Sequence, residues 1–341
     1  MIKQTVVRDL NEALRRCMRA DERVYLIGED ILDPYGGAFK VTAGLSTEFP
    51  ERVLATPISE AAIVGIGVGA AMRGLIPVVE IMFGDFLLLA ADQIINHASK
   101  FPGMYNGQVE VPLVIRTPMG GGRGYGPTHS QCLEKHFLGV PGLRVVAISH
   151  FHHAGELLER AILLDRMPVL FIEHKLLYPL ELHANGTAQL TVEHVTMSRN
   201  ELYPTAVVRN FKDPAVSPDV TIVTYGGNSR LLEEALLQLA QEEIWVETFL
   251  PAELSRVEFP LIVTSCARTR RVVLVEEGTG GFGWTAEVGR KIAETLCSRM
   301  TINMVSIEAP PSVIPAARDM EKEMLPGTED IINGVMEVMC S

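Results

Sequence analysis

The sequence predicts an α/β fold of two units. Three observations carry that prediction. Short apolar runs alternate with stretches of helical spacing from residue 24 to residue 172, which implies a parallel sheet with helices on both faces. The pattern dissolves between residues 181 and 217, where Ala184-Asn185-Gly186, Asn210 and Asp213-Pro214 supply turn residues. It resumes at Val220 and continues through a second, smaller unit. A length of 341 residues, 47% hydrophobic and 21% charged, suits two well-buried domains. We expect domains at 1–185 and 218–341, joined by a linker at 186–217 that holds one or two short strands.

The elements follow in order. Val6, Leu10, Ala13, Leu14 and Cys17 fall on one side of a helix over residues 5–20. Val24-Tyr25-Leu26-Ile27-Gly28 reads as a buried strand. The turn residues Asp33-Pro34-Tyr35-Gly36-Gly37 form a loop beyond it, at the end of the sheet where ligands bind. Arg52 to Ala55 is a short strand. Pro57 then holds Thr56 extended, Ser59 caps a helix, and Glu60 lies in its first turn. The rest of that helix, Ala61 to Met72, is apolar and small, with Gly65 and Gly69 on the face of Ala61. Each glycine costs a helix about 1 kcal/mol relative to alanine, so burial against another helix is expected there.

Ile76 to Met82 is a further strand, Phe83-Gly84-Asp85-Phe86 a turn, and Leu87 to Ser99 a helix. The strand Val111 to Arg116 leads into Met119 to Gln131, a glycine-dense loop able to approach a ligand closely. Leu143 to Ala147 and Val169 to Ile172 are strands around a helix near 154–164. The second unit has a strand starting at Val220, a helix near 229–241 and strands at Ile244 to Phe249 and Arg271 to Glu277. The loop Gly278 to Gly283 and a helix over Thr285 to Leu296 follow.

A net charge of −12 disfavours nucleic acid as a partner. The five cysteines, Cys17, Cys132, Cys266, Cys297 and Cys340, form no CxxC pair; this suggests reduced thiols in a cytoplasmic setting, with no zinc site built on them. Met1-Ile2-Lys3-Gln4-Thr5 has no signal-peptide core, and the run Ala61 to Met72 is too short and too rich in glycine to span a membrane. The loop at 120–126 lacks the Lys-Ser/Thr close of a phosphate-binding loop, and Gly65 to Gly69 does not follow the dinucleotide fingerprint. His152-His153 suggests a metal, but no third ligand stands at regular spacing.

Glu60, Gly65, Ile66 and Gly69, behind Thr56-Pro57-Ile58-Ser59, resemble the glutamate motif of thiamine-diphosphate enzymes. In particular they look like the β subunit of the first component of 2-oxo acid dehydrogenases, a family that includes the pyruvate, branched-chain 2-oxo acid and acetoin enzymes. Pro77 to Phe86, Ala91 to Asn96, Arg116 to Gln131, Val140 to Leu143 and Glu173 to Tyr178 are similar to the same family. The resemblance covers residues 2–180, weakens, and returns at Val220 to Gly227 and Glu276 to Arg290.

The resemblance implies two three-layer α/β/α domains, a parallel-sheet pyrimidine-binding domain and a smaller transketolase C-terminal-like domain. It implies that Glu60 hydrogen-bonds the cofactor's aminopyrimidine as the catalytic carboxylate, where burial raises its proton affinity. Phe86 would stack on that ring, and Ile58 and Met82 would line its pocket. His129 would assist acyl transfer to a lipoyl group, since a neutral pKa suits proton donation. Without the resemblance, Glu60 reads as an acid favoured by the helix dipole, the apolar three as core, and His129 as a hydrogen-bonded loop residue.

The family's Gly-Asp-Gly motif is missing; the chain has Gly84-Asp85-Phe86. The resemblance therefore implies half a site. An α subunit would hold Mg2+ and share thiamine diphosphate with this chain in an α2β2 heterotetramer, with a lipoyl-bearing dihydrolipoyl acyltransferase as further partner. The C-terminal part departs from the family around Glu247 to Pro251 and Ala309 to Pro315. Two other readings keep the same fold: a split transketolase-like transferase with an aldehyde acceptor, and a non-catalytic assembly subunit.

Overall fold

Six strands form the first sheet: β1 (Val24–Gly28), β2 (Val53–Ala55), β3 (Ile76–Glu80), β4 (Val114–Met119), β5 (Arg144–Ala147) and β6 (Val169–His174). The computed structural model that shows them describes residues 4–196, 198, 201–256 and 259–340. Their order is β2-β1-β3-β4-β6-β5, and every pair is parallel. β4 and β6 are buried at every position, as expected for central strands covered on both faces. The helix Val6–Ala20 packs beside the helix Ala154–Leu163 on one face, burying Val6, Leu10, Ala13, Leu14 and Cys17.

The second sheet holds β7 (Thr191–Val195), β8 (Thr205–Arg209), β9 (Val220–Val223), β10 (Val246–Pro251), β11 (Arg271–Thr279) and β12 (Asn303–Ala309). Its order is β12-β11-β9-β10-β8-β7, with β7 and β8 antiparallel at one edge. Both of these strands come from the stretch 186–217, three of whose residues (197, 199 and 200) lie outside the described residues. The helix Phe259–Thr269, the strand β12 and the helices Arg318–Met324 and Thr328–Cys340 add elements that the periodicity does not announce. Main-chain bonds tie the two domains together: Ala147 N–H donates to Ala252 O at 2.8 Å and Leu254 N–H to Val145 O at 2.8 Å.

Two stretches differ from expectation. The helix expected over Leu87 to Ser99 is not regular; Gly84–Ala90, which takes in part of the expected turn, is 3-10 and Gln93–Ala98 is a π-helix. The Ser99 N–H reaches back five residues to Ile94 O at 3.1 Å, the π pattern, and the Ser99 hydroxyl donates to Ile95 O at 2.7 Å. The helix Glu60–Met72 is buried on one side only, through Ile63, Val64, Gly67, Val68 and Ala71. It is Gly67 that admits the core: a Cβ there would stand 2.8 Å from Val79 and 3.0 Å from Leu113. A Cβ at Gly69 would meet nothing within 4 Å, and one at Gly65 only Gln93 at 3.6 Å. Among the described residues, the helix neighbour expected on the Gly65/Gly69 face is limited to Gln93 of the π-helix beside Gly65, and Gly69 is left uncovered.

Candidate active site

The candidate residues gather beyond the carboxyl ends of the first sheet's strands, where a parallel sheet places its ligands. Glu29 follows β1, the Glu60 helix follows β2, Phe83 to Phe86 follow β3, and the glycine loop follows β4. Ser59 is the N-cap residue, but its side chain makes no capping bond. Glu60 is the first helical residue and is only 6% exposed. Among the described residues, no hydrogen-bond donor reaches its carboxylate. Glu29, 5% exposed, shares its surroundings. Burial pushes the Glu29 carboxyl above its usual range, and the charges of Glu60, Asp30 and Glu80 add to the rise. A buried Thr56 hydroxyl nearby in sequence also lacks a partner. This is a cradle of polar groups unmatched within the described chain, which fits a ligand that brings its own donors.

His129 sits among aromatic rings. Its imidazole meets Phe83 edge-on at 4.9 Å and Phe86 at 5.2 Å between centroids, and its Nδ1 lies 3.0 Å from Thr128 Oγ1. Phe83 also touches Phe39 and Tyr125, each edge-on. The loop is held at both ends. Lys175, fully buried, donates from Nζ to Gly120 O at 2.8 Å and to His129 O at 2.9 Å. Asp85 Oδ1 accepts from the Gln131 side chain at 2.9 Å and its N–H at 3.2 Å. Burial lowers the pKa of the Lys175 ammonium, while the charges of Asp85 and Glu277 oppose that shift.

Below the loop, Arg116 forks onto Glu173 at 2.7 and 2.8 Å and reaches Glu80 at 2.8 Å, while the Tyr178 hydroxyl donates to Glu173 at 2.7 Å. Such a paired, buried network fixes the ends of β3, β4 and β6 in register under the loop. Phe86 and Met82 are half-buried, whereas Ile58 is 79% exposed. The structure therefore brings His129 and Phe86 together. No hydrogen bond or ring contact among the described residues joins Glu60 to them, and Ile58 faces solvent.

The sequence reading missed Glu29, Lys175 and the Arg116–Glu173 pair as supports of the site. A signal was available, because charged residues in or beside strands otherwise buried on both faces are conspicuous. Between the domains, a cleft of about 380 Å³ runs beside the loop, lined by Thr128, Ser130, Cys132, Lys135, Glu277 and Val313 among others. Burial works against the Glu277 carboxylate, but His174 at 2.8 Å and the Gly121 N–H at 2.6 Å outweigh it and hold the group at about 2. Next to it, burial pushes Glu276 up to about 7.

Residues 3–181 match the family described as transketolase, pyrimidine binding domain, and residues 213–331 match transketolase, C-terminal domain. The pyruvate dehydrogenase E1 component subunit beta-1, mitochondrial, of Arabidopsis thaliana is 37% identical over 332 residues, 97% of this chain and 88% of that one. The acetoin:2,6-dichlorophenolindophenol oxidoreductase subunit beta of Bacillus subtilis (strain 168) is 32% identical over 342 residues, 97% of this chain and 95% of that one. A solved structure titled split gene transketolase, inactive beta4 tetramer, superposes with a TM-score of 0.71 at 19% identity over 97% of both chains, a likeness of fold.

Proposed function

Since the chain belongs to the family of β subunits of the thiamine-diphosphate-dependent first component of 2-oxo acid dehydrogenases, we propose that it works with an α subunit to decarboxylate a 2-oxo acid and reductively acylate a lipoyl group. The observation that carries this reading is the Glu60 carboxylate, buried at the N-terminus of a helix whose Gly69 position is uncovered. Thiamine diphosphate supplies, when bound, the nucleophilic carbon that the side chains here do not offer. Glu60 holds and moves a proton at the ring nitrogen of the aminopyrimidine, Phe86 orients that ring, and Met82 and Ile58 close its edges. Exposure of Ile58 is consistent with a pocket completed by a partner. His129 supplies a proton in acyl transfer, with its loop position fixed by Lys175 and Asp85.

Mg2+ belongs to the α subunit in this reading, because the chain has no Gly-Asp-Gly, and the assembly is α2β2. A dihydrolipoyl acyltransferase is the acceptor of the acyl group. The division into 1–185 and 218–341 goes with it, with β7 and β8 extending the second sheet into 186–217. A cytoplasmic setting is supported by five free cysteines, and no helix among the described residues is long and apolar enough to cross a membrane. The test is reconstitution with a Gly-Asp-Gly-bearing α subunit. Acylation of a lipoyl domain is expected; transfer to an aldehyde acceptor alone would favour the transketolase-like reading.

A further inference from the structure

Away from the Glu60 site, three segments converge where the domains meet. His150 follows β5 in the first domain, His183 lies beyond β6, and Glu233 belongs to the helix Ser229–Gln241 of the second. His150 Nε2 stands 3.0 Å from one Glu233 oxygen, and His183 Nδ1 stands 2.8 Å from the other. The three candidate ligand atoms all lie within 4.8 Å of one another. The two histidines are held side by side by the main chain, with His183 N–H donating to His150 O at 2.8 Å. The remaining nitrogen of His150, Nδ1, is bonded to the buried Ser229 hydroxyl at 3.0 Å, which fixes the ring's orientation.

We propose that His150, His183 and Glu233 form a binding site for a transition-metal dication of the zinc class, which bridges the two domains. Two imidazoles and a carboxylate are a donor set that suits zinc, at bond lengths of about 2.0–2.2 Å. Tetrahedral ligands at such lengths stand roughly 3.3 Å apart. The nitrogen-to-oxygen gaps of 2.8 and 3.0 Å, each to a different Glu233 oxygen, fall short of that spacing, so Glu233 must turn outward to admit the ion. The His150 side chain is 1% exposed, whereas those of His183 and Glu233 are 27% and 24% exposed. That leaves a route in from solvent and room for water as a fourth ligand. The Ser229 bond is the outer-shell contact that sets a ligating histidine's tautomer.

The test titrates the full chain, stripped with chelator, with Co2+ alone and then with Zn2+. One equivalent of Co2+ per chain is expected, with visible d–d absorption that Zn2+ abolishes and no thiolate charge-transfer band in the near ultraviolet. His183→Gln should abolish saturable binding, and Ser229→Ala should weaken it about 10- to 100-fold. Glu233→Gln keeps the size and a polar group towards each ring, an acceptor for one and a donor for the other, but loses the charge; it should also abolish binding, and it serves as the second variant if His183→Gln does not fold. Absence of saturable binding in the parent chain overturns the proposal. So does binding unchanged in both folded variants, or a charge-transfer band that assigns the metal to the cysteines.

Discussion

A carboxylate that no donor among the described residues reaches is a costly thing to bury, and Glu60 and Glu29 are two such groups side by side. If Glu60 exists to cycle a proton, Glu60→Gln keeps size and polarity but removes the cycle. In the reconstituted enzyme, cofactor affinity should stay within about tenfold, or ~1.4 kcal/mol, while turnover is lost. Near-normal turnover in an assembled Glu60→Gln enzyme would end the assignment. His129→Ala should impair lipoyl acylation more than decarboxylation measured with an artificial electron acceptor, by roughly 10²- to 10⁴-fold. Equal losses in the two assays would leave His129 only the task of shaping its loop. A third residue tests the effect of burial on a carboxyl group of β11. Glu276 is 1% exposed, and its carboxyl is raised from 4.5 to about 7 by burial. A raised folded-state pKa adds stability that is complete below about 4.5 and lost as pH climbs through about 7. Glu276→Gln removes that dependence, so the variant should gain on the parent chain between pH 5 and pH 8, by at most about 3 kcal/mol. Urea denaturation at the two pH values measures it; a gap that does not change with pH would contradict the burial argument.

The helix Glu60–Met72 shows what single glycines do at the scale of an element. Gly67 is packed, and Gly67→Ala would drive a methyl against Val79 and Leu113, at a cost of about 1–3 kcal/mol. Gly69 faces open space, so Gly69→Ala should stabilise the isolated chain by up to about 1 kcal/mol through helix propensity. If that face receives a partner helix, Gly69→Leu should leave the isolated chain folded and abolish heterotetramer assembly; gel filtration of both species decides it. The legibility of the chain divides along the same lines. The small, apolar text after Pro57 made the helix readable, and the alternation around it implied the parallel sheet. Spacing could not tell which glycine faces inward, because Gly65, Gly67 and Gly69 differ only in what β3 and its neighbours place against them. Phe83 to Phe86 read as a turn and Leu87 to Ser99 as a helix, while the 3-10 and π hydrogen bonds are set by tertiary packing around Gly84, whose missing Cβ would stand 2.3 Å from Met119. The strand β12 alternates half-buried and exposed positions at a sheet edge, a weaker signal than the buried runs of β4 or β6. Within the site, the glutamate and histidine motifs were legible through resemblance. The pairings of the supports Lys175 and Arg116 were not, since their partners are distant in sequence: His129 O lies 46 residues from Lys175, and Glu173 lies 57 from Arg116.

At the scale of the whole molecule, the half-site has a consequence for binding. In the proposed reading, Glu60 and the aromatic turn address the aminopyrimidine, a small and weakly charged part of the cofactor. Most of the cofactor's charge lies on the diphosphate, which needs a magnesium ion and oxygen ligands to enter a buried site. The chain offers no Gly-Asp-Gly for that, and its net charge of −12 repels an anion further. The exposed apolar residues Ile58, Ile66, Leu88 and Leu89 lie on the Glu60 helix, just ahead of it, and on the 3-10 helix it packs against. An apolar face of this kind marks a surface meant to be covered. The isolated chain should therefore form at most a homodimer and bind thiamine diphosphate too weakly to detect at micromolar concentration, with or without Mg2+. An α subunit carrying Gly-Asp-Gly should cover the face and create two sites per tetramer, with decarboxylation dependent on Mg2+. Calorimetry on the purified single chain examines the first half of this directly. Tight, magnesium-dependent binding with no partner present would mean that the diphosphate site is built from this chain after all, and that the open helix face serves something else.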